Sequence, residues 1–185
     1  MTALTVPAER TTLTLDEFLA LPEHDENGSL FELSEGKLLK VSPTGYPHAR
    51  RIIEIGLVLR EKLDRRKYDV VGGEAGIIMA GDPKATVRGM DLAVVPKKDA
   101  VPQGLLRTAP VLIVEVLSPS NETEDMEQKR KQYLDFGVPE VWFVYERTKT
   151  IHIYGPHSQA RIVTYPEKLE SAALNLTFAT EDLFQ

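Results

Sequence analysis

The chain contains no cysteine. Disulfide scaffolds, zinc–cysteine sites and thiol catalysis are therefore excluded. It also lacks any run of ~18 apolar residues, the length a membrane-spanning helix needs, and no membrane association is expected. Its first residues, Met1-Thr2-Ala3-Leu4-Thr5-Val6-Pro7, have neither the basic start nor the apolar core of a secretory leader. Together with the missing cysteine, this fits a cytoplasmic protein. Histidine is scarce: His24, His48, His152 and His157 fall at no spacing that suits zinc. Gly72, Gly73 and Gly76 are followed by no lysine-serine or lysine-threonine pair, so they form no phosphate loop. Ser118 and Ser120 have no evident histidine partner for nucleophilic work. Positive charge is also in deficit, at a formal net charge of −6, which argues against broad electrostatic binding of nucleic acid.

What is present is ordinary for a soluble fold: 185 residues, 42% of them apolar and 27% charged. That length suffices for one domain with a full core. No repeat or linker divides it, so residues 1–185 read as a single domain with a loose tail over 1–12. Basic residues concentrate at Arg50, Arg51, Arg60, Lys62, Arg65, Arg66 and Lys67, and again at Lys129, Arg130 and Lys131. They read as solvated helix faces.

Along the chain, Thr14 and Glu17 have capping-box spacing and predict a short helix through about Leu21. Leu30–Leu33 and Lys37–Val41 predict a hairpin around Ser34-Glu35-Gly36. Ile52, Ile55, Leu59 and Leu63 lie at helical spacing within a long helix from His48 to Lys67. Tyr68–Ala80 reads as a strand weakened or bulged by its glycines, and Val87–Val95 as its return. Pro110–Leu117 is a continuous apolar strand that Ser118-Pro119-Ser120-Asn121 ends. A helix over 124–136 follows, with Thr123 as cap and Gly137 past its end. Val141–Tyr145 and Thr150–Tyr154 form another strand pair, with one or two more strands and a short terminal turn beyond. A helical crossover makes the 110–117 and 141–145 strands parallel neighbours. The expected fold is α/β (α+β): a mixed β-sheet flanked by helices, with an N-terminal helix and hairpin.

Two residues break this apolar pattern. Glu115 interrupts the 110–117 strand, and Asp91 interrupts Met90-Asp91-Leu92-Ala93-Val94-Val95. A buried carboxylate costs several kcal/mol unless something pairs with it. Glu115 is satisfied either by an arginine or backbone donors, or by a metal ion shared with Asp91. Two carboxylates and several waters suit Mg²⁺ or Mn²⁺, which prefer oxygen ligands. Lys129 reads equally as a surface partner of Asp125 four residues earlier. Glu32 alternates onto the wet face of the hairpin, and His48 reads as a helix-start residue without chemistry.

Asp91, followed by Glu115 in Val114-Glu115-Val116-Leu117-Ser118, resembles the acidic pair of the PD-(D/E)XK nuclease superfamily. Phe31-Glu32-Leu33, His48, Asp91-Leu92-Ala93-Val94-Val95, Pro110–Ser120, Asp125 with Lys129 and Tyr133, and Gly137–Trp142 resemble in their joint order the Uma (Uma-two) family of restriction-endonuclease-like proteins. Met90 stands where the superfamily's name has proline, and Leu117 where many relatives place a lysine. The resemblance implies a restriction-endonuclease-like fold and a metal-dependent endodeoxyribonuclease. It implies that Asp91, Glu115 and the Val116 carbonyl hold the ion, and that Lys129 replaces the lysine missing at 117. It also adds Glu32 as a further site carboxylate. The substrate it implies is DNA, and a homodimer would suit cutting two strands. The alternative is a catalytically inactive nuclease-fold module for binding or oligomerisation.

Overall fold

The computed structural model describes residues 12–117, 123–156 and 160–185. Most of the expected tail, the strand-ending segment Ser118–Asn121 and His157 lie outside these. The capping box closes as its sequence requires: Thr14 caps α1 (Leu15–Leu19), and the Glu17 side chain returns to the Thr14 backbone. β1 (Leu30–Ser34) and β2 (Lys37–Val41) form the hairpin. Its turn places Glu35 and Gly36 at positive φ, 49° and 85°. α2 (Tyr46–Lys62) starts earlier than the apolar stripe indicated, because Pro47 fits the first helical turn. It also stops earlier. The Asp64 carboxylate accepts the Arg66 N–H at 3.0 Å, a local bond that competes with the helix.

β3 (Tyr68–Ala80) and β4 (Thr86–Pro96) pair antiparallel, with a register shift between Gly72 and Ala75. β5 (Leu112–Leu117) leads through α3 (Thr123–Phe136) to β6 (Glu140–Tyr145). β5 and β6 are parallel, as the crossover demands. β7 (Thr150–Tyr154) and β8 (Arg161–Thr164) extend the sheet. The chain then makes β9 (Lys168–Ser171), β10 (Leu176–Ala179) and α4 (Thr180–Leu183). The carboxy-terminal region thus holds three strands rather than one or two. The main sheet runs β2-β1-β4-β5-β6-β7-β8, with β3 on the other edge of β4, and β9 and β10 form a separate pair.

Alternation along the central strands supplies a core on each face, beside a third cluster of Leu13, Leu33, Ile78, Ala85 and Val87. Leu92, Val94, Val114, Val116, Trp142 and Val144 face α2, α4 and the β9–β10 pair. Ala93, Val95, Ile113, Val141 and Phe143 face Met126 and Tyr133 of α3. Trp142 is fully buried and meets Phe178 edge-on at 5.5 Å. Two members of the basic clusters, Arg51 and Lys129, depart from the solvated reading. Arg51 is buried and holds Glu146 at 2.6 and 2.9 Å and the Leu183 carbonyl at 2.8 Å. It fastens α2 to the end of β6 and to α4.

Candidate active site

The site lies where the sheet splits. One edge of β4 is paired with β3. On the other edge Val87 pairs with Leu33 of β1, and Leu92–Val94 pair with Leu112–Val114 of β5. Between those ladders, residues 88–91 have no strand partner on that edge among the described residues. Buried backbone groups must still be paired, and side chains supply the bonds. The Gly89 N–H donates to Glu32 Oε1 at 2.9 Å. The Gly89 carbonyl accepts from Lys129 Nζ at 2.9 Å and from the Tyr133 hydroxyl at 3.1 Å. The Val116 N–H donates to Asp91 Oδ2 at 2.8 Å.

Had the β4–β5 ladder continued past Leu92 and Val114, Asp91 and Glu115 would have been the next opposed pair. Opposed residues project to the same face, here the α3 face. α3 brings Lys129 and Tyr133 over the gap, and both are buried. Tyr133 shares its one hydroxyl proton between Gly89 O and Glu115 Oε1, the latter nearer at 2.6 Å, and Lys129 Nζ lies 3.5 Å from that same Glu115 oxygen. Lys129 also pairs with Glu32 Oε1 at 3.1 Å. The ammonium thus donates to Gly89 O and sits beside the Glu32 and Glu115 carboxylates. Arg88, with no exposed surface, holds Glu32 Oε2 at 2.8 Å, Asp125 at 3.0 Å and Gln132 Oε1 at 2.9 Å. From the α2 side, His48 Nε2 meets the Val116 carbonyl at 2.6 Å and Asp91 Oδ2 at 3.2 Å.

The electrostatics divide the acids into two kinds. Burial pushes Glu32 up, but Lys129 and Arg88 outweigh it and hold its carboxyl below the ordinary value. Glu115 goes the other way. Burial raises it to about 8, with Asp91 and Glu74 adding to the rise against the pull of Lys129 and Tyr133. Burial likewise raises Glu74. Lys129 keeps its proton: burial works against the charge, but Glu115, Glu32, Glu74 and Asp91 hold its pKa well above that of an ordinary lysine. Burial holds Tyr133 far above the usual phenol value, so it stays a donor. The hydrogen bond to Asp91 raises His48.

Asp91, Glu115, Lys129 and Glu32, separated widely in sequence, therefore stand together. They line a cleft of about 980 Å³ with His48 and Glu74. Three residue-level readings need correction. Glu32 is not on a wet face, because the hairpin folds its side chain under Arg88. Lys129 is not a surface partner of Asp125, which pairs instead with Arg88. Likewise His48, expected to carry no chemistry, bonds both Asp91 and Val116. Sequence reasoning missed Glu74 and Arg88. Glu74 follows Gly72-Gly73 at the register shift in β3 and has a positive φ of 59°. That glycine-marked bulge was its only signal.

The donor set can be weighed against a divalent ion. Glu32, Glu74, Asp91 and Glu115 face Arg88 and Lys129, so acids outnumber strong bases, and the surplus is carried by the two groups that burial disfavours as anions. Among the described residues, no three Asp, Glu or His side chains form a ready-made metal cluster. Asp91 and Glu115 offer carboxylate oxygens, the ligand type that Mg²⁺ takes, and water would have to complete its shell.

No curated protein matches the chain. A crystal structure described as "a putative nuclease belonging to DUF820", from Anabaena variabilis, is similar in fold. It superposes with a TM-score of 0.74 at 22% identity, over 93% of this chain and 97% of that one. A model of the Uma2 family, described as "Putative restriction endonuclease", matches residues 15–181, and the chain belongs to that family.

Proposed function

We propose that this chain is a Mg²⁺-dependent endonuclease, with Mn²⁺ as a substitute ion, that hydrolyses phosphodiester bonds in DNA. The observation that carries the reading is the placement of Asp91 and Glu115 just past the last β4–β5 rung, on one face, with Lys129 Nζ 3.5 Å from Glu115. Asp91, Glu115 and the Val116 carbonyl would hold the ion. Bound there, it would polarise a phosphate oxygen and lower the pKa of a bound water. Lys129 keeps Glu32 and Glu115 apart from each other's charge and fixes Gly89 in the gap. Tyr133 fixes the Glu115 carboxyl. Arg88 locks Glu32 in place, so the wall under the substrate is rigid before binding. Exposed Lys37 lines the same cleft and would meet backbone phosphate. A cytoplasmic setting belongs to the same proposal. Among the described residues, no helix is long and apolar enough to cross a membrane.

A second reading is a nuclease-fold module without catalysis. It is favoured by Leu117 in the place of a lysine and by the hydrogen bond and two ion pairs that already engage Lys129. A cleavage assay on plasmid, linear and single-stranded DNA with Mg²⁺ or Mn²⁺, run beside Glu115→Gln and Lys129→Ala, decides between the two. Metal-dependent cutting lost in both variants supports the first reading. DNA binding without any cutting supports the second.

A further inference from the structure

The acids of the cleft differ in what holds them. Asp91 is held by the Val116 N–H and His48. Glu115 is held by Tyr133 and Lys129. Glu32 is held by Arg88, Gly89 and Lys129. Glu74 has no hydrogen bond or ion pair among the described residues, yet it lines the same cleft and feels the charges of Lys129, Asp91, Glu32 and His48.

Its placement is specific. A residue at φ 59° is strained unless it is glycine. Two glycines immediately precede it, but position 74 itself carries a carboxylate. Facing it is Gly89, where a Cβ would come within 2.5 Å of Glu74 Oε2. The backbone of β4 thus leaves a notch that the Glu74 carboxylate fills.

We propose that Glu74 holds and deprotonates the attacking water, as the one acid of the cleft whose oxygens are not already committed among the described residues. This role rests on the hydrolytic reading given above. The water oxygen bonds to phosphorus and its proton passes to Glu74. The ester P–O bond breaks, and the departing alkoxide takes a proton from solvent water, leaving one phosphate end and one hydroxyl end. Lys129 does not serve, since the surrounding Glu115, Glu32, Glu74 and Asp91 keep its ammonium protonated and without a lone pair to take a proton. Burial also raises the Glu74 carboxyl, toward the range where a base works best.

The test uses the full chain with Mn²⁺ and plasmid DNA. Calorimetry gives ion affinity, and cleavage is followed across pH. Glu74→Gln should keep Mn²⁺ affinity within about threefold of wild type while cleavage falls by ~10²–10⁴-fold. The acid-side rise of rate with pH should vanish with it, and Glu74→Asp should restore part of the rate. Gly89→Ala should imitate Glu74→Gln. Its φ lies outside the left-handed range, and the atom it displaces is the far end of the Glu74 side chain. Asp91→Ala should lose the ion, which separates the two sites of failure. Cleavage by Glu74→Gln within about threefold of wild type, or ion loss equal to that of Asp91→Ala, overturns the role of Glu74 and leaves the hydrolytic reading standing. A wild-type chain that binds Mn²⁺ but cuts no DNA overturns the hydrolytic reading and this role together.

Discussion

Replacing Glu115 by glutamine should change how stability depends on pH more than it changes stability itself. In the folded chain burial raises Glu115 from 4.5 to about 8. The native state then keeps a proton that the unfolded chain releases. Where the native state binds more protons, stability falls as pH rises. The contribution of Glu115 is therefore intact below about 4.5, declines through the interval and is gone above about 8. At about 1.4 kcal/mol per pH unit, the interval sets a ceiling of roughly 5 kcal/mol. The side chain borders an open cleft, and water reaching it relieves part of that cost, so we expect a loss of ~2–3 kcal/mol. His48, raised by its bond to Asp91, also loses its stabilising proton as pH rises through its folded value. It does so in both proteins, as does Glu74, which burial also raises, so the difference between them is dominated by Glu115. Glutamine keeps an oxygen for Tyr133 and has no proton to lose. Urea unfolding in EDTA at pH 5, 6, 7, 8 and 9 is the assay. The two proteins should coincide near pH 5, and the variant should be the more stable by ~2–3 kcal/mol at pH 9. Adding Mn²⁺ at pH 8 should stabilise wild type and hardly affect the variant. Parallel pH curves would show that the Glu115 carboxyl is not held protonated and would refute the argument.

Asp91→Ala should abolish Mn²⁺ binding in calorimetry and cost ~1–3 kcal/mol, because the Val116 N–H loses its acceptor. Arg88→Met should lower stability by ~3–5 kcal/mol in denaturant titration, since Glu32 and Asp125 lose the buried cation they share. Trp142→Ala, in the core on the far side of the sheet, should cost ~3–5 kcal/mol. It should leave the Mn²⁺ dissociation constant of the folded fraction unchanged. Lys37→Ala should weaken DNA binding alike for all sequences. It should also reduce the slope of log affinity against log salt by ~0.9, the signature of one lost phosphate contact.

Much of the scaffold was legible because it is written in local chemistry. The capping box at Thr14 and Glu17, the hairpin turn at Glu35-Gly36 and the crossover through α3 each depend on neighbours within a few residues. The acidic pair was legible for the opposite reason, since Asp91 and Glu115 violate their surroundings. The rest depended on partners far away in sequence. Arg88 reads as an ordinary strand residue until Glu32, Asp125 and Gln132 close around it. Arg51 is indistinguishable from its solvated neighbours until α4 and Glu146 arrive. Glu74 was hidden because its alternation is broken by the register shift that also gives it its position. The short strands β8, β9 and β10 carry too few residues for periodicity to register.

The split along β4 has a further consequence for how this fold can change. Elsewhere in a sheet, neighbouring backbone sustains the strands, and side chains are free to vary. At Gly89 and Val116 the arrangement is inverted, and the main chain leans on Glu32, Lys129, Tyr133 and Asp91. A lineage that abandoned cutting would still need those four side chains as rivets. Their survival in a relative is therefore poor testimony that it cuts, whereas the fate of Glu74, on which no backbone leans, is the more telling mark.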